Sequence, residues 1–168
     1  ILSDRKYQGS YQRVAELLRQ LRLHADDLQR FFQQVAFSVM VHNGDAHLKN
    51  FGVLYRSPEE VWLAPMFDVV TTSIYKYTRY PGGPELEDRT MALKLFAGKH
   101  QGKTYPTTEE LHAFAHRVCG VSQPGRLLQA MADAMHDTLE EARGDERIPP
   151  ACLARMREAW EEGMRHAG

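Results

Sequence analysis

The sequence predicts a mainly α fold with a single β-hairpin at its centre. Three observations predict it. Apolar residues recur at helical spacing through about residues 11–40. A strand–turn–strand pattern then occupies about 51–66. Beyond Pro106, helix-opening signals recur at Thr107-x-x-Glu110, at Ser122-Gln123-Pro124 and at Pro149-Pro150. At 168 residues the chain is one domain, or a piece of a larger one, and on folding loses about two-thirds of its unfolded surface.

Taken in order, residues 1–9 read as an irregular lead-in. Ser10 is an N-cap, and Val14, Leu17, Leu18 and Leu21 give the first helix its apolar face, over about 11–22. Asp26 or Asp27 opens the second helix. Its apolar positions, Leu28, Phe31, Phe32, Val35, Ala36, Val39 and Met40, form more than one stripe, as expected of a central buried helix. Asn43-Gly44 is a stop signal for it. Phe51–Tyr55 reads as a strand, Ser57-Pro58-Glu59-Glu60 as a turn and Val61–Met66 as the return strand, with Pro65 confining its end to an edge or bulge. Residues 71–90 show turn chemistry and no clear period. Met91, Leu93 and Leu95 alternate, as in a short strand, and a basic turn with Lys99, His100 and Lys103 follows. The third helix carries Leu111, Phe114, Ala115 and Val118 and stops at Gly120. The fourth carries Leu127, Leu128, Met131, Ala134, Met135 and Leu139, and the last Leu153, Met156, Trp160 and Met164. The methionines at these positions read as core filling.

The chemistry concentrates in residues 43–50, Asn-Gly-Asp-Ala-His-Leu-Lys-Asn. Asp45 and Asn50 stand in the D-x-x-x-x-N spacing that kinases use for a base and a magnesium ligand. In the predicted hairpin Phe51 faces about Met66, and paired strands lie about 5 Å apart. The fold-back therefore brings Asp68 beside Asn50. Phosphoryl transfer asks for positioning and for positive charge against phosphate oxygens. Mg2+ supplies that charge and takes a few hard oxygen ligands, which Asp68 and Asn50 offer. Asp45 is the candidate acceptor of the attacking hydroxyl's proton. Lys49 is a candidate phosphate contact and His47 a candidate brace of the loop. The competing structural readings are a plain turn at Asn43-Gly44-Asp45 and a helix cap at Asp68 for a helix starting near Val69. Residues 97–104, Ala-Gly-Lys-His-Gln-Gly-Lys-Thr, match a relaxed phosphate-loop pattern. Pro106 and the separate cap at Thr107 argue against it, because such a loop runs straight into a helix.

These residues resemble a known family. Asn43-Gly44-Asp45-Ala46-His47-Leu48-Lys49-Asn50-Phe51 is similar to the catalytic loop of HipA-type kinases, the serine/threonine protein kinase toxins of bacterial toxin–antitoxin pairs. Leu63-Ala64-Pro65-Met66-Phe67-Asp68-Val69-Val70 resembles the segment carrying their metal-binding aspartate. Met91-Ala92-Leu93-Lys94-Leu95, and Lys6-Tyr7 before a helix, also look like family stretches. The resemblance covers nearly the whole chain and is most specific over 43–70. It implies one domain over 1–168, the C-terminal helical lobe of a protein-kinase-like fold, with catalytic loop 43–50 and metal-binding segment 63–70. It implies Asp45 as catalytic base, Asn50 and Asp68 as Mg2+ ligands, His47 near the active site and Phe67 against the nucleotide of ATP. It further implies a seryl or threonyl protein substrate, an aminoacyl-tRNA synthetase being the known type, and a DNA-binding antitoxin as partner. Gly44-Asp45-x-His47-x-x-Asn50 also resembles the loop of small-molecule phosphotransferases of the aminoglycoside or choline kinase kind. A third reading is a binding lobe whose kinase site is silent.

The chain opens at Ile1-Leu2-Ser3 without an initiator Met, and is expected to be a fragment whose N-lobe lies outside it. It contains no Gly-rich loop and no strand lysine for the α/β-phosphates. The family's autophosphorylated serine would also lie upstream. The isolated chain is therefore expected to be a poor or inactive kinase. Lys+Arg 21 against Asp+Glu 22 gives a formal charge of −1, so net charge argues neither for nor against a nucleic-acid partner. Lys94, Lys99 and Lys103 read as a solvated face, and direct nucleic-acid contact is not expected. No apolar run approaches the roughly 20 residues of a membrane helix, and no secretory signal pattern opens the chain. Cys119 and Cys152 lack metal-type spacing and read as thiols of a reducing compartment. A cytoplasmic location without membrane contact follows as the expectation.

Overall fold

Helix α2 (Ala25–Met40) is the centre of the computed structural model, which describes residues 4–98 and 102–168. Phe31, Phe32, Val35, Ala36, Val39 and Met40 of this helix are all at most 1% exposed, so its wide apolar face is buried as the sequence predicts. Around it pack α1 (Tyr11–Gln20), α3 (Thr108–Ala113), α4 (Pro124–Ala142) and α5 (Pro150–Met164). About half of the chain is helical. Among the described residues two small antiparallel hairpins complete it, one more than expected. The fold is thus mixed, with helices dominant, rather than α with a single hairpin.

The caps explain where the helices begin. Ser10 Oγ accepts from Arg13 N–H at 3.2 Å and opens α1. The remaining free N–H groups of that first turn find the backbone of a distant segment: Tyr11 N–H donates to Lys94 O at 2.9 Å and Gln12 N–H to Leu95 O at 3.1 Å. This replaces the strand expected at 91–95. Its residues Met91, Ala92, Leu93 and Leu95 are buried, but its hydrogen bonds go to a helix end and to single bridges, not to a ladder. The buried face of α1 is Tyr11, Ala15 and Leu18, while Leu17 and Leu21 stay exposed. Thr107 and Glu110 form the reciprocal capping box of α3. Beyond Ala113 that helix widens into a π-helical segment (Phe114–Cys119), and Gly120, at φ 71°, ends it. A carbonyl loosened there, Val118 O, takes the guanidinium of Arg19. Burial pushes the Cys119 thiol up to about 12, so it is a packing group, not a nucleophile.

Helix α2 starts at Ala25, with Asp26 and Asp27 in its first turn. It ends at Met40, earlier than the expected stop at Asn43-Gly44. His42 N–H returns to Val39 O at 3.1 Å and Asn43 N–H to Ser38 O at 2.8 Å. This is a Schellman closure with His42, at φ 54°, in the left-handed position that glycine usually takes.

The central hairpin is β1 (Val53–Ser57) and β2 (Glu60–Leu63). Near the turn Ser57 faces Glu60, in line with the expected register. A bulge between Tyr55 and Ser57 then shifts the pairing by one, so that Val53 faces Leu63 and Gly52 O accepts Ala64 N–H at 2.9 Å. Buried Asp27 fixes this ribbon to α2: its Oδ1 accepts Leu63 N–H at 3.2 Å and lies 3.3 Å from the Arg30 guanidinium. The second hairpin pairs β3 (Lys76–Tyr77) with β4 (Leu86–Glu87). Two residues per strand are too few to show a period, so this stretch reads as loop in the sequence. Lys99 and His100 of the predicted basic turn lie outside the described residues, as do Ile1, Leu2 and Ser3. Among the described residues no helix is long and apolar enough to cross a membrane.

Candidate functional site

The loop after α2 is held from several sides. Asn43 Oδ1 accepts Asp45 N–H at 3.2 Å, an Asx turn that sets the bend. Gly44 N–H donates to Thr72 Oγ1 at 2.8 Å, and Thr72 in turn donates through N–H and hydroxyl to His42 O. A Cβ on Gly44 would lie 2.5 Å from the carbonyl oxygen of Thr90, so only glycine fits this crossing. Tyr11 Oη donates to Ala46 O at 2.8 Å from a buried position. Burial pushes the Tyr11 hydroxyl well above its ordinary range, so it stays a neutral donor. Tyr105 stacks on His42 at 4.9 Å, and burial raises its hydroxyl to about 12.

The predicted site residues then fall as follows. Asn50 is buried and Asp68 exposed, and Asn50 Nδ2 donates to Asp68 Oδ2 at 2.7 Å. The hairpin therefore does return Asp68 to Asn50. Asn50 Oδ1 accepts His47 N–H at 3.0 Å, which fixes the orientation of the amide. Asp68 adopts φ 57°, a left-handed conformation that aspartate tolerates better than most residues. No helix starts at Val69, so Asp68 caps none; the next turn is the 3-10 segment Thr72–Ile74. Asp45 is exposed, and its Oδ1 accepts the Tyr7 hydroxyl at 2.9 Å. His47 is buried and braces the loop through its backbone, with its ring edge against Tyr7 at 5.5 Å. Its Nδ1 has no hydrogen-bond partner among the described residues. Lys49 is exposed and makes no hydrogen bond or ion pair with the described residues. Phe67 is 48% exposed.

Does this donor set fit Mg2+? A carboxamide oxygen has two lone pairs, and Asn50 Oδ1 spends one on His47 N–H. Asp68 Oδ1 has no partner among the described residues. Asn50 turns its Nδ2 to Asp68, and each residue keeps oxygen lone pairs uncommitted among the described residues, the kind of donor taken by an ion that keeps its other positions for water and phosphate. Among the described residues no group of three or more His, Cys, Asp and Glu gathers as a metal site. A magnesium ion needs no such cluster, since it takes a few hard oxygens and keeps water and phosphate for the rest.

The part that several other residues play in shaping the site escapes sequence reasoning. Tyr7, Thr72 and Lys103 join Asp45, Asp88 and Thr90 around a cavity of about 250 Å³. Lys103 is half-buried, and its ammonium donates to Tyr7 O at 2.8 Å, so it does not belong to a solvated face. Lys103 and Thr104 bridge to Met91 and Thr90, and no helix begins until Thr108, so residues 102–106 do not feed a phosphate loop into a helix. A larger cavity, about 560 Å³, lies between α2, the central hairpin and Met131; it is lined by none of the predicted site residues.

Residues 1–143 match the family model described as HipA-like C-terminal domain. The chain is 30% identical over 76 residues to a candidate kinase, Y4dM, of Sinorhizobium fredii; the match is 45% of this chain and 18% of that protein. It is 28% identical over 104 residues to a candidate kinase of Haemophilus influenzae, covering 61% of this chain and 28% of that protein. The chain thus spans less than a third of the length of either of these relatives.

Proposed function

Because the chain belongs to the family of HipA-like C-terminal domains, a kinase-related family, we propose that it carries the catalytic loop and metal-binding aspartate of an ATP-dependent serine/threonine protein kinase. The observation that carries this is the 2.7 Å contact between Asn50 and Asp68, residues separated by a whole hairpin. It sets a carboxamide against a carboxylate, and the second carboxylate of the proposed site, Asp45, lies five residues before Asn50 on the same loop. In this reading Asn50 Oδ1 and Asp68 hold Mg2+, which when bound offsets the charge of the phosphate oxygens. The acceptor hydroxyl oxygen forms its bond to the γ-phosphorus while the bond to the bridging oxygen of ADP breaks. The hydroxyl proton passes to the Asp45 carboxylate. Phe67 offers an exposed ring to the nucleotide, and Lys49 a free ammonium to phosphate.

The Gly-rich loop and strand lysine of a kinase N-lobe are not among these 168 residues, so the isolated chain is proposed to transfer phosphate poorly. A protein acceptor of the aminoacyl-tRNA synthetase type, a DNA-binding antitoxin and a cytoplasmic setting belong to the same proposal.

The test has two parts. Mn2+, standing in for Mg2+, is titrated into the parent chain and into Asp68→Ala; binding is expected to weaken about tenfold or more. Equal affinities would leave a silent binding lobe as the better reading. The full-length gene product is then given labelled ATP with casein, kanamycin or choline. Label on casein seryl groups supports the proposal. Label on the small alcohols alone would replace it with a small-molecule phosphotransferase.

A further inference from the structure

The proposed base is exposed, yet it does not hang free. Tyr7 reaches it from a short 3-10 turn (Asp4–Tyr7), 38 residues earlier in the chain, and donates its hydroxyl to Asp45 Oδ1 at 2.9 Å. Tyr7 is itself fixed. Its carbonyl oxygen accepts the Lys103 ammonium at 2.8 Å. The same ammonium lies 5.9 Å from the centre of its ring, and that of Lys6 lies 4.8 Å from it. The His47 ring meets it edge-on at 5.5 Å. Three separate stretches of chain therefore converge to hold one phenol against one carboxylate.

We infer that Tyr7 is a positioning residue for Asp45, with Lys103 as its anchor. The inference rests on the proposal that Asp45 is the base. An exposed aspartate samples several rotamers, and only some present an oxygen to an incoming hydroxyl. A hydrogen bond from Tyr7 to Oδ1 selects among them. Asp45 Oδ2, which has no partner among the described residues, is left for the acceptor. The cavity bounded by Tyr7, Asp45, Thr72, Asp88, Thr90 and Lys103 is where that acceptor side chain enters. At about 250 Å³ it falls below the roughly 300–1,000 Å³ of pockets that enclose a drug-sized molecule. It has room for a single acceptor side chain. Tyr7 does not touch the transferred phosphoryl group in this account. It acts through Asp45.

Tyr7→Phe tests this, because it removes the hydroxyl and keeps the ring. The full-length gene product is assayed with ATP and whichever of casein, kanamycin or choline the parent phosphorylates. General-base help is worth about 10²–10⁴-fold, so losing its alignment is expected to lower kcat about tenfold. The KM for ATP should stay within twofold of the parent, because the nucleotide side of the site is untouched. Asp45→Asn is run alongside. If Asp45→Asn abolishes transfer while Tyr7→Phe keeps kcat within twofold, the positioning role is wrong and the kinase reading stands. If ATP KM rises in step with the loss of kcat, Tyr7 serves the nucleotide or the fold, and the inference fails. If the parent transfers nothing, or Asp45→Asn transfers as the parent does, the kinase reading fails and takes the inference with it. Should Tyr7→Phe not fold by circular dichroism, Lys103→Met is read in its place. A drop in kcat of threefold or more is expected there, and an unchanged kcat overturns the inference.

Discussion

His42 is a residue under two constraints at once. It closes α2 from a left-handed backbone position, and its ring is buried between Tyr105 and Ser73, with Ser73 Oγ 3.4 Å from Nδ1. Burial pushes its imidazole below the ordinary value of 6.5, and does the same to His166. The unfolded chain therefore takes up protons at a higher pH than the folded one, and stability falls as pH drops below about 6.5. The melting temperature is expected to be lower at pH 5.5 than at pH 7.5. In the double variant His42→Asn, His166→Asn the difference should shrink, asparagine being tolerant of φ near 54°. An unchanged pH slope in that variant would refute the assignment. At this scale, legibility divides by distance along the chain. Asp45, Asn50 and Asp68 stand out because one loop and one hairpin hold them. The roles of Tyr7, Thr72 and Lys103 do not, since each reaches the loop from a remote stretch and no local pattern marks that contact.

Among the elements, those with chemical punctuation are the readable ones. Ser10, the Thr107/Glu110 box, Pro124 and Pro150 each mark a helix start that the structure keeps. The β3–β4 pair and the 91–95 segment were not readable, because two-residue strands carry no period and helix-capping backbone looks like a strand in sequence. A similar blindness hides why α5 needs Gly163. In the structure α5 crosses the end of α2 so closely that a Cβ on Gly163 would overlap the carbonyl of Met40. Gly163→Ala should destabilise the chain by about 1–3 kcal/mol, since backbone cannot yield as a side chain does. For a chain of this size that is about 2–4 °C of melting temperature per kcal/mol. An alanine variant melting with the parent would show that the two helices are not packed at this separation.

For the molecule as a whole, the predicted central helix proves to be what everything else is referred to. Its C-terminal end delivers Asn43 and the loop, and its first turn carries Asp27, which grips Leu63. The sequence shows that helix plainly, from its wide apolar face. It does not show the grip, because an aspartate at a helix start reads as a response to the dipole and nothing more. Yet that grip makes the helix a ruler laid between the two halves of the candidate metal site. Asn50 is referenced to one end of it and the strand running toward Asp68 to the other. The geometry at the ion would then be calibrated by a carboxylate that never touches it. Cutting the tie with Asp27→Ala strands the Leu63 N–H, a cost of about 1–3 kcal/mol, and lets the ribbon drift. Mn2+ affinity is expected to fall several-fold, with Asn50, Asp68 and Asp45 all intact. Full affinity in that variant would mean the return strand keeps its aim unaided.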